Sequence, residues 1–315
     1  ALEGLQSNQR ISIAVDEREP DELAFPKLQV MLPAGLILVM ASVMGLLVLR
    51  EVVDQRIKSP ADVGLIPKAR VLGMVPDAEE DPAGVSNVAM AFRDKDRGVM
   101  AECFRQIRAT VIKRTQQMGH KTILVVSGMP GAGSTSVISN LAYALAAADR
   151  RVLIIDANMR RPGQHKVFGM SEAPGLADVL AGTHTLGGVV QHTGDKKLDV
   201  VTAGGREKRD FERLSTDMMT ALLREAKDSY DIVLVDTAPL VVSGDGMGLA
   251  ARCDASILVV RAMQEKRGMV ARLRNDLADV RAEHLGILVN GVKSAAGGYM
   301  KSNMKATHEY QTQAG

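Results

Sequence analysis

The stretch TILVVSGMPGAGSTSVISNLAYALAAADRRVLIID, residues 122–156, decides the fold. It opens on an apolar run rich in β-branched residues, which reads as a strand buried on both faces. A glycine-rich turn, GMPGAGSTS from Gly128 to Ser136, comes next. VISNLAYALAAADR then places apolar residues at helical spacing, and RVLIID (151–156) is a second buried strand. Strand, helix and strand in this order, with both strands apolar throughout, specify a parallel pair joined by a crossover helix.

The same rhythm continues outward. LDVVTAG (198–204), DIVLVD (231–236), ASILVV (255–260) and LGILVN (285–290) read as further strands, and DMMTALLREAKDSY (217–230) reads as a helix. The expected fold class is α/β, a doubly wound, mostly parallel sheet flanked by helices. Such sheets bind ligands beyond the carboxyl ends of their strands.

The glycine-rich turn fits a phosphate-binding Walker A loop in all but one position. Gly128 and Gly133 lie five apart and Thr135 follows. Glycines let successive backbone N–H groups turn inward as an anion nest, and the following helix adds its positive end. Gly128, Gly131, Ala132, Gly133, Ser134, Thr135 and Ser136 are therefore the expected nucleotide contacts, with the Thr135 hydroxyl available to Mg²⁺. Asp156 and Asp236 end two of the other strands, where carboxylates can serve the same ion. A strand-terminal Asp alone is more often a helix cap. Three strand ends in this order favour nucleotide binding.

Upstream, LQVMLPAGLILVMASVMGLLVL (28–49) carries no charge. At about 1.5 Å per residue it spans roughly 33 Å, the thickness of a bilayer core. Pro33 falls in its first turns, where it is tolerated. Arg50, Arg56, Lys58, Lys68 and Arg70 follow it, whereas the acid-rich DEREPDE (16–22) precedes it. That bias puts the C-terminal side in the cytoplasm. The expected organisation is an end of an extracytoplasmic region at 1–27 and a transmembrane helix at 28–50. A juxtamembrane linker follows at 51–98, a P-loop domain at 99–294 and a flexible tail at 295–315. VLGMV, ahead of Pro76, reads either as one more strand or as docked linker. Residue 1 is Ala, and the chain is expected to begin within a longer protein.

Composition narrows the function. Aromatic residues are 3% of the 315 residues, with no Trp, and the net charge is +2. Neither a base-stacking surface nor an electrostatic footprint for nucleic acid is indicated. Cys103 and Cys253 have no disulfide or metal-ligand spacing. The six histidines are scattered, and His165 reads as an ordinary surface residue.

Taken together, these motifs resemble the bacterial tyrosine kinases (BY-kinases), which are fused to or paired with polysaccharide co-polymerase membrane subunits. The resemblance rests on the Pro-bearing membrane helix followed by VLGMVP (71–76), on ECFRQIR (102–108) and on the degenerate Walker A loop. It continues through IIDANMRRPGQHKVFG (154–169), APGLADVLAG (173–182), VDTAPLVVSGD (235–245) and LVNGV (288–292). It implies an ATP- and Mg²⁺-dependent protein-tyrosine autokinase of capsule or exopolysaccharide export, located in the bacterial inner membrane. Asp156 would assist proton removal from the tyrosine hydroxyl and help hold the metal, and Asp236 would organise Mg²⁺. Arg160 completes the expected catalytic set. Glu102, Arg105 and Arg108, which share a helix face, would dock subunits into a homo-oligomeric ring and leave the polysaccharide polymerase as a further partner. Tyr299 and Tyr310 would be what remains of the phospho-acceptor cluster.

Three departures bear on activity. Ser134 stands where the Walker A lysine belongs, Met129 fills the place of the extra lysine of ParA/MinD-type ATPases, and Asn158 replaces the second acid of an Asp-x-Asp motif. Losing one preorganised donor to a transferring phosphoryl group typically costs about 2.7–4 kcal/mol, or roughly 10²–10³ in rate. Arg160, Arg161 and Lys121 are the candidate substitutes, with Lys121, ahead of its strand, expected at the far edge. Two readings therefore stand side by side: a membrane-anchored autokinase with an unusual loop, and a pseudokinase scaffold of the co-polymerase. A soluble ParA/MinD-type ATPase is disfavoured by the apolar helix and by Met129.

Overall fold

The computed structural model describes residues 27–205 and 210–293. Tyr299 and Tyr310, like residues 1–26 of the expected extracytoplasmic end at 1–27, lie outside the described residues. The chain divides into two compact units, 1–54 and 55–315.

The described part of the first unit is one helix, α1 (Leu28–Val53), with Pro33 inside it and no buried residue. It is long and apolar enough to cross a membrane. Its one hydroxyl is satisfied internally, Ser42 Oγ donating to the Leu38 carbonyl at 2.8 Å.

The second unit is built on eight strands: β1 (Val71–Pro76), β2 (Thr122–Ser127), β3 (Val152–Asp156), β4 (Gln191–His192), β5 (Leu198–Val201), β6 (Ile232–Asp236), β7 (Ala255–Arg261) and β8 (Glu283–Val292). They form one sheet in the order β1-β8-β7-β2-β6-β3-β5-β4. Every pairing is parallel except the short edge pair β4–β5. All residues of β2, β3 and β6 are buried, as the continuous apolar runs require of strands covered on both faces. Alternate residues feed opposite layers: Ile123 and Val125 enter one core cluster, Leu124 and Val126 the other.

Helix α2 (Val99–Met118) buries Phe104, Ile107, Val111 and Thr115, a stripe at helical spacing. It packs so closely on β1 that a Cβ at Gly73 would lie 2.4 Å from Ile107 Cγ1. Helix α3 (Ser134–Ala146) is buried along Val137–Ala146. Its Asn140 ties down the preceding segment, accepting from the Phe92 N–H at 2.7 Å and donating to the Val88 carbonyl at 2.8 Å.

Residues 55–98 of the expected juxtamembrane linker lie within the second compact unit. VLGMVP is strand β1, running parallel to β8 with Met74 opposite Val289. The prolines that suggested a connector sit where their ring geometry is useful. Pro60 opens the helix Pro60–Gly64 behind a Ser59/Asp62 capping box, and Pro76 closes β1. Ahead of them, Gln55–Ile57 lies antiparallel to Met263–Arg267. Arg267 N–H donates to the Gln55 carbonyl (2.9 Å), Ile57 N–H to that of Glu265 (2.8 Å) and Met263 N–H to that of Ile57 (2.7 Å).

Candidate functional site: the phosphate-binding loop

β2 ends at Ser127 and α3 begins at Ser134, and the loop between them turns through glycines in the left-handed region. Gly131 has φ +82° and Gly133 φ +89°, which a side chain would strain. Gly133 also has no room for one: an added Cβ would lie 2.4 Å from Asn290 Nδ2. Asn290, near the end of β8, donates through that nitrogen to the Ala132 carbonyl at 2.8 Å and so fixes the loop from the neighbouring strands. Ser134 is the first residue of α3 and is almost fully buried, while Met129 is exposed.

Beneath the start of the loop lies Glu265, 1% exposed. Its Oε1 accepts from the Arg261 N–H at 3.4 Å, and its Oε2 is buried without a partner. A Cβ at Gly128 would come within 2.8 Å of that Oε2, so the glycine is what lets the loop pass over the carboxyl. Burial pushes the Glu265 carboxyl up to about 7.

The two strand-terminal acids face the loop from β3 and β6, in register with each other. Asp156 and Asp236 are both fully buried. Asp156 is held by its own chain: Oδ1 accepts from the Asn158 N–H (3.1 Å), and Oδ2 from those of Gly163 (3.0 Å) and Gln164 (2.9 Å). Asp236 Oδ2 accepts from Thr135 Oγ1 at 2.9 Å and from Gln164 Nε2 at 2.8 Å. Its Oδ1 is buried with no partner. Burial raises both carboxyls; Asp236, further raised by the charge of Asp156, reaches about 7.

That orphaned oxygen, beside a threonine hydroxyl and an anion cradle, fits Mg²⁺. Such an ion is held by one or two carboxylates together with phosphate oxygens rather than by an all-protein cage. Among the described residues no group of three or more His, Cys, Asp or Glu side chains could hold a metal alone.

The loop opens into a cleft of about 550 Å³, a volume suited to a small ligand. Its wall includes Gly131, Gly133, Thr135, Arg160, Arg161 and Lys166. The cationic candidates take different positions. Arg160 is drawn aside, its Nε 3.3 Å from Asp245 Oδ2 and its guanidinium 4.5 Å above the Phe211 ring. Lys121 donates to the Lys227 carbonyl at 2.7 Å, at the opposite end of the sheet. Arg161 and Lys166 remain exposed on the cleft wall. His165, expected at the surface, is largely buried, with Nε2 3.8 Å from Glu172 and Nδ1 without a hydrogen-bond partner.

Sequence reading missed Gln164, Lys166, Asn290 and Glu265. The LVNGV motif carries Asn290, whose strand-terminal position was the available signal; nothing local marks Gln164 as buried.

Glu102, Arg105 and Arg108 lie three residues apart on α2 and make different contacts. Arg105 bridges Glu102 at 3.0 Å and stacks over Phe92, whereas Arg108 donates to the Ala144 carbonyl of α3 at 3.0 Å.

The comparisons with known proteins agree with this geometry. Residues 120–270 match the AAA domain family AAA_31. Tyrosine-protein kinase YwqD of Bacillus subtilis (strain 168) is 31% identical over 197 residues, covering 62% of this chain and 83% of that protein. The chain belongs to the bacterial tyrosine kinases. Tyrosine-protein kinase etk of Escherichia coli (strain K12) is also 31% identical, over 65% of this chain, yet the chain spans only 28% of its length. The solved kinase domain of Escherichia coli tyrosine kinase ETK superposes with a TM-score of 0.66 at 28% identity, covering 73% of this chain and 92% of that one. The P-loop of this family member stands at the carboxyl edge of its mostly parallel sheet.

Proposed function

We propose that this chain binds Mg·ATP at the 128–136 loop and serves as the cytoplasmic, kinase-like part of a membrane-anchored regulator of capsular or exopolysaccharide synthesis and export. The observation that carries the reading is the joint between loop and strand. Thr135 of the P-loop is bonded to Asp236, whose second oxygen is left unpaired among buried atoms. A phosphate cradle beside an under-coordinated carboxylate is what a metal-bound triphosphate requires. When bound, Mg·ATP would supply the phosphoryl group. The chain's own part is to hold the phosphates with loop N–H groups and to keep Asp156 and Asp236 in place for the metal and the acceptor hydroxyl. The apolar helix α1 supports membrane anchoring, and ring assembly would use Glu102, Arg105 and Arg108 on α2.

The test is to incubate the purified full chain, in detergent or nanodiscs, with Mg·ATP, and to measure bound nucleotide and phosphotyrosine. Binding with label on Tyr299 or Tyr310 is the expected result. Label confined to other residues would remove the autokinase-tail reading, and absence of binding would remove the nucleotide reading altogether.

A second reading, a scaffold with little or no turnover, is favoured by Ser134, because no lysine lies in the loop. Binding would then survive better than transfer, since the backbone contacts remain while the charge-stabilising donor is gone.

A further inference from the structure

We propose that the positive charge missing from position 134 is restored from the opposite wall of the cleft by Lys166, whose ammonium group meets the terminal phosphates of the bound nucleoside triphosphate. The inference rests on the nucleotide reading above and adds the residue that replaces the lost lysine.

The path from sequence to that placement is continuous. The Asp156 carboxylate gathers the N–H groups of Gly163 and Gln164, which fixes the start of the short helix Gln164–Phe168 at the end of β3. Gln164, fully buried, reaches back to Asp236 at 2.8 Å and so locks the same turn to the β6 acid. Gly163 then presses against the P-loop threonine: a Cβ there would lie 3.0 Å from Thr135 Cγ2. The turn is helical here, with Lys166 and Val167 N–H groups both donating to the Gly163 carbonyl at 3.2 Å. Positions three and four apart share a face, so Lys166 and Val167 follow Gly163 on the side turned to Thr135, and Lys166 is the cation of the two. Both Lys166 and Val167 line the cleft with the P-loop.

The neighbouring residues are committed elsewhere. Gln164 faces Asp236, His165 approaches Glu172, and Arg160 is held by Asp245 and Phe211. Lys166 makes no ion pair or side-chain hydrogen bond among the described residues and is exposed. A lysine on a flexible stem is a mobile point charge suited to phosphate oxygens. Arg161, whose backbone N–H is fixed by the Asn158 side chain at 3.1 Å, adds a second cation to the same wall.

The experiment is a nucleotide titration on the full chain with Mg²⁺, using fluorescent ATP and ADP analogues, for wild type, Lys166→Met, Lys166→Arg and Ser134→Lys, and for Lys166→Met combined with Ser134→Lys. Lys166→Met should weaken ATP binding about tenfold, more than it weakens ADP binding, and Lys166→Arg should retain most of the affinity. In the Ser134→Lys background the loss should shrink to less than about threefold, because the charge is then supplied from the loop. Unchanged ATP affinity in Lys166→Met, or an equal loss in both backgrounds, overturns the assignment and leaves the nucleotide reading standing. Binding by Ser134→Lys but not by wild type also overturns it, since no charge would then be restored. Absence of binding in every variant overturns the nucleotide reading and this inference together.

Discussion

Thr135 Oγ1 donates to Asp236 Oδ2 at 2.9 Å, joining the first turn of α3 to the end of β6 before any ion is considered. Asp236 Oδ1 keeps a free acceptor position inside the protein. The expected outcome is that Asp236→Asn abolishes the tightening of nucleotide binding by Mg²⁺, while Mg²⁺-free binding changes little. Titrations with Mg²⁺ and with EDTA check it. A variant whose affinity still rises on adding Mg²⁺ would exclude Asp236 from the metal site.

On the scaffold reading, Ser134→Lys should raise ATP turnover by at least tenfold, and by as much as about 10²–10³ if the new ammonium reaches the transferring phosphoryl group. ADP release measured on the full chain decides this. Equal turnover in wild type and variant would refute the scaffold reading.

Much of this site was legible because its chemistry is local. A glycine at +82° or +89° announces itself in the sequence, and strand-terminal acids are found by reading where apolar runs stop. What escaped reading depends on distant parts of the chain meeting. Asn290 reaches Ala132 across a sequence separation of 158, and Gln164 reaches Asp236 across 72. No pattern within a few residues encodes such pairs. β1 was ambiguous for a related reason: a six-residue edge strand flanked by prolines has too little periodicity of its own, and only its partner β8 makes it a strand. The bond from Arg108 on α2 to the Ala144 carbonyl, 36 positions on, escaped for the same reason.

Stability should depend on pH through Glu265. The ordinary value for the side chain is 4.5, and in the folded protein burial raises it to about 7. Between those values the folded state keeps a proton that the unfolded chain releases. The stability contributed is therefore fully present below about pH 4.5 and is lost as pH rises through 7. Glu265→Gln, which stays neutral, should melt higher than wild type by on the order of 3 °C at pH 8, with a smaller gap at pH 5. A melting-temperature difference that does not change between pH 5 and 8 would contradict this.

Gly131 and Gly133 separate backbone strain from crowding. Both adopt positive φ, but only at Gly133 would a Cβ meet a neighbour, Asn290. Gly131→Ala should cost about 1–2 kcal/mol from the left-handed conformation alone. Gly133→Ala should cost more, and part of the excess should return when Asn290→Ala is added. Urea unfolding of the single and double variants measures this. Equal costs at the two glycines would mean that the Asn290 contact is relieved without strain.

The three backbone bonds between Gln55–Ile57 and Met263–Arg267 also have a mechanical meaning. The first folded residues after the apolar helix are clipped to the segment carrying Glu265, and Glu265 lies against Gly128 at the root of the P-loop. The same segment carries Ile57 into the hydrophobic core, so the chain emerging from the apolar helix is tied at once to the core and to the rim of the P-loop cleft.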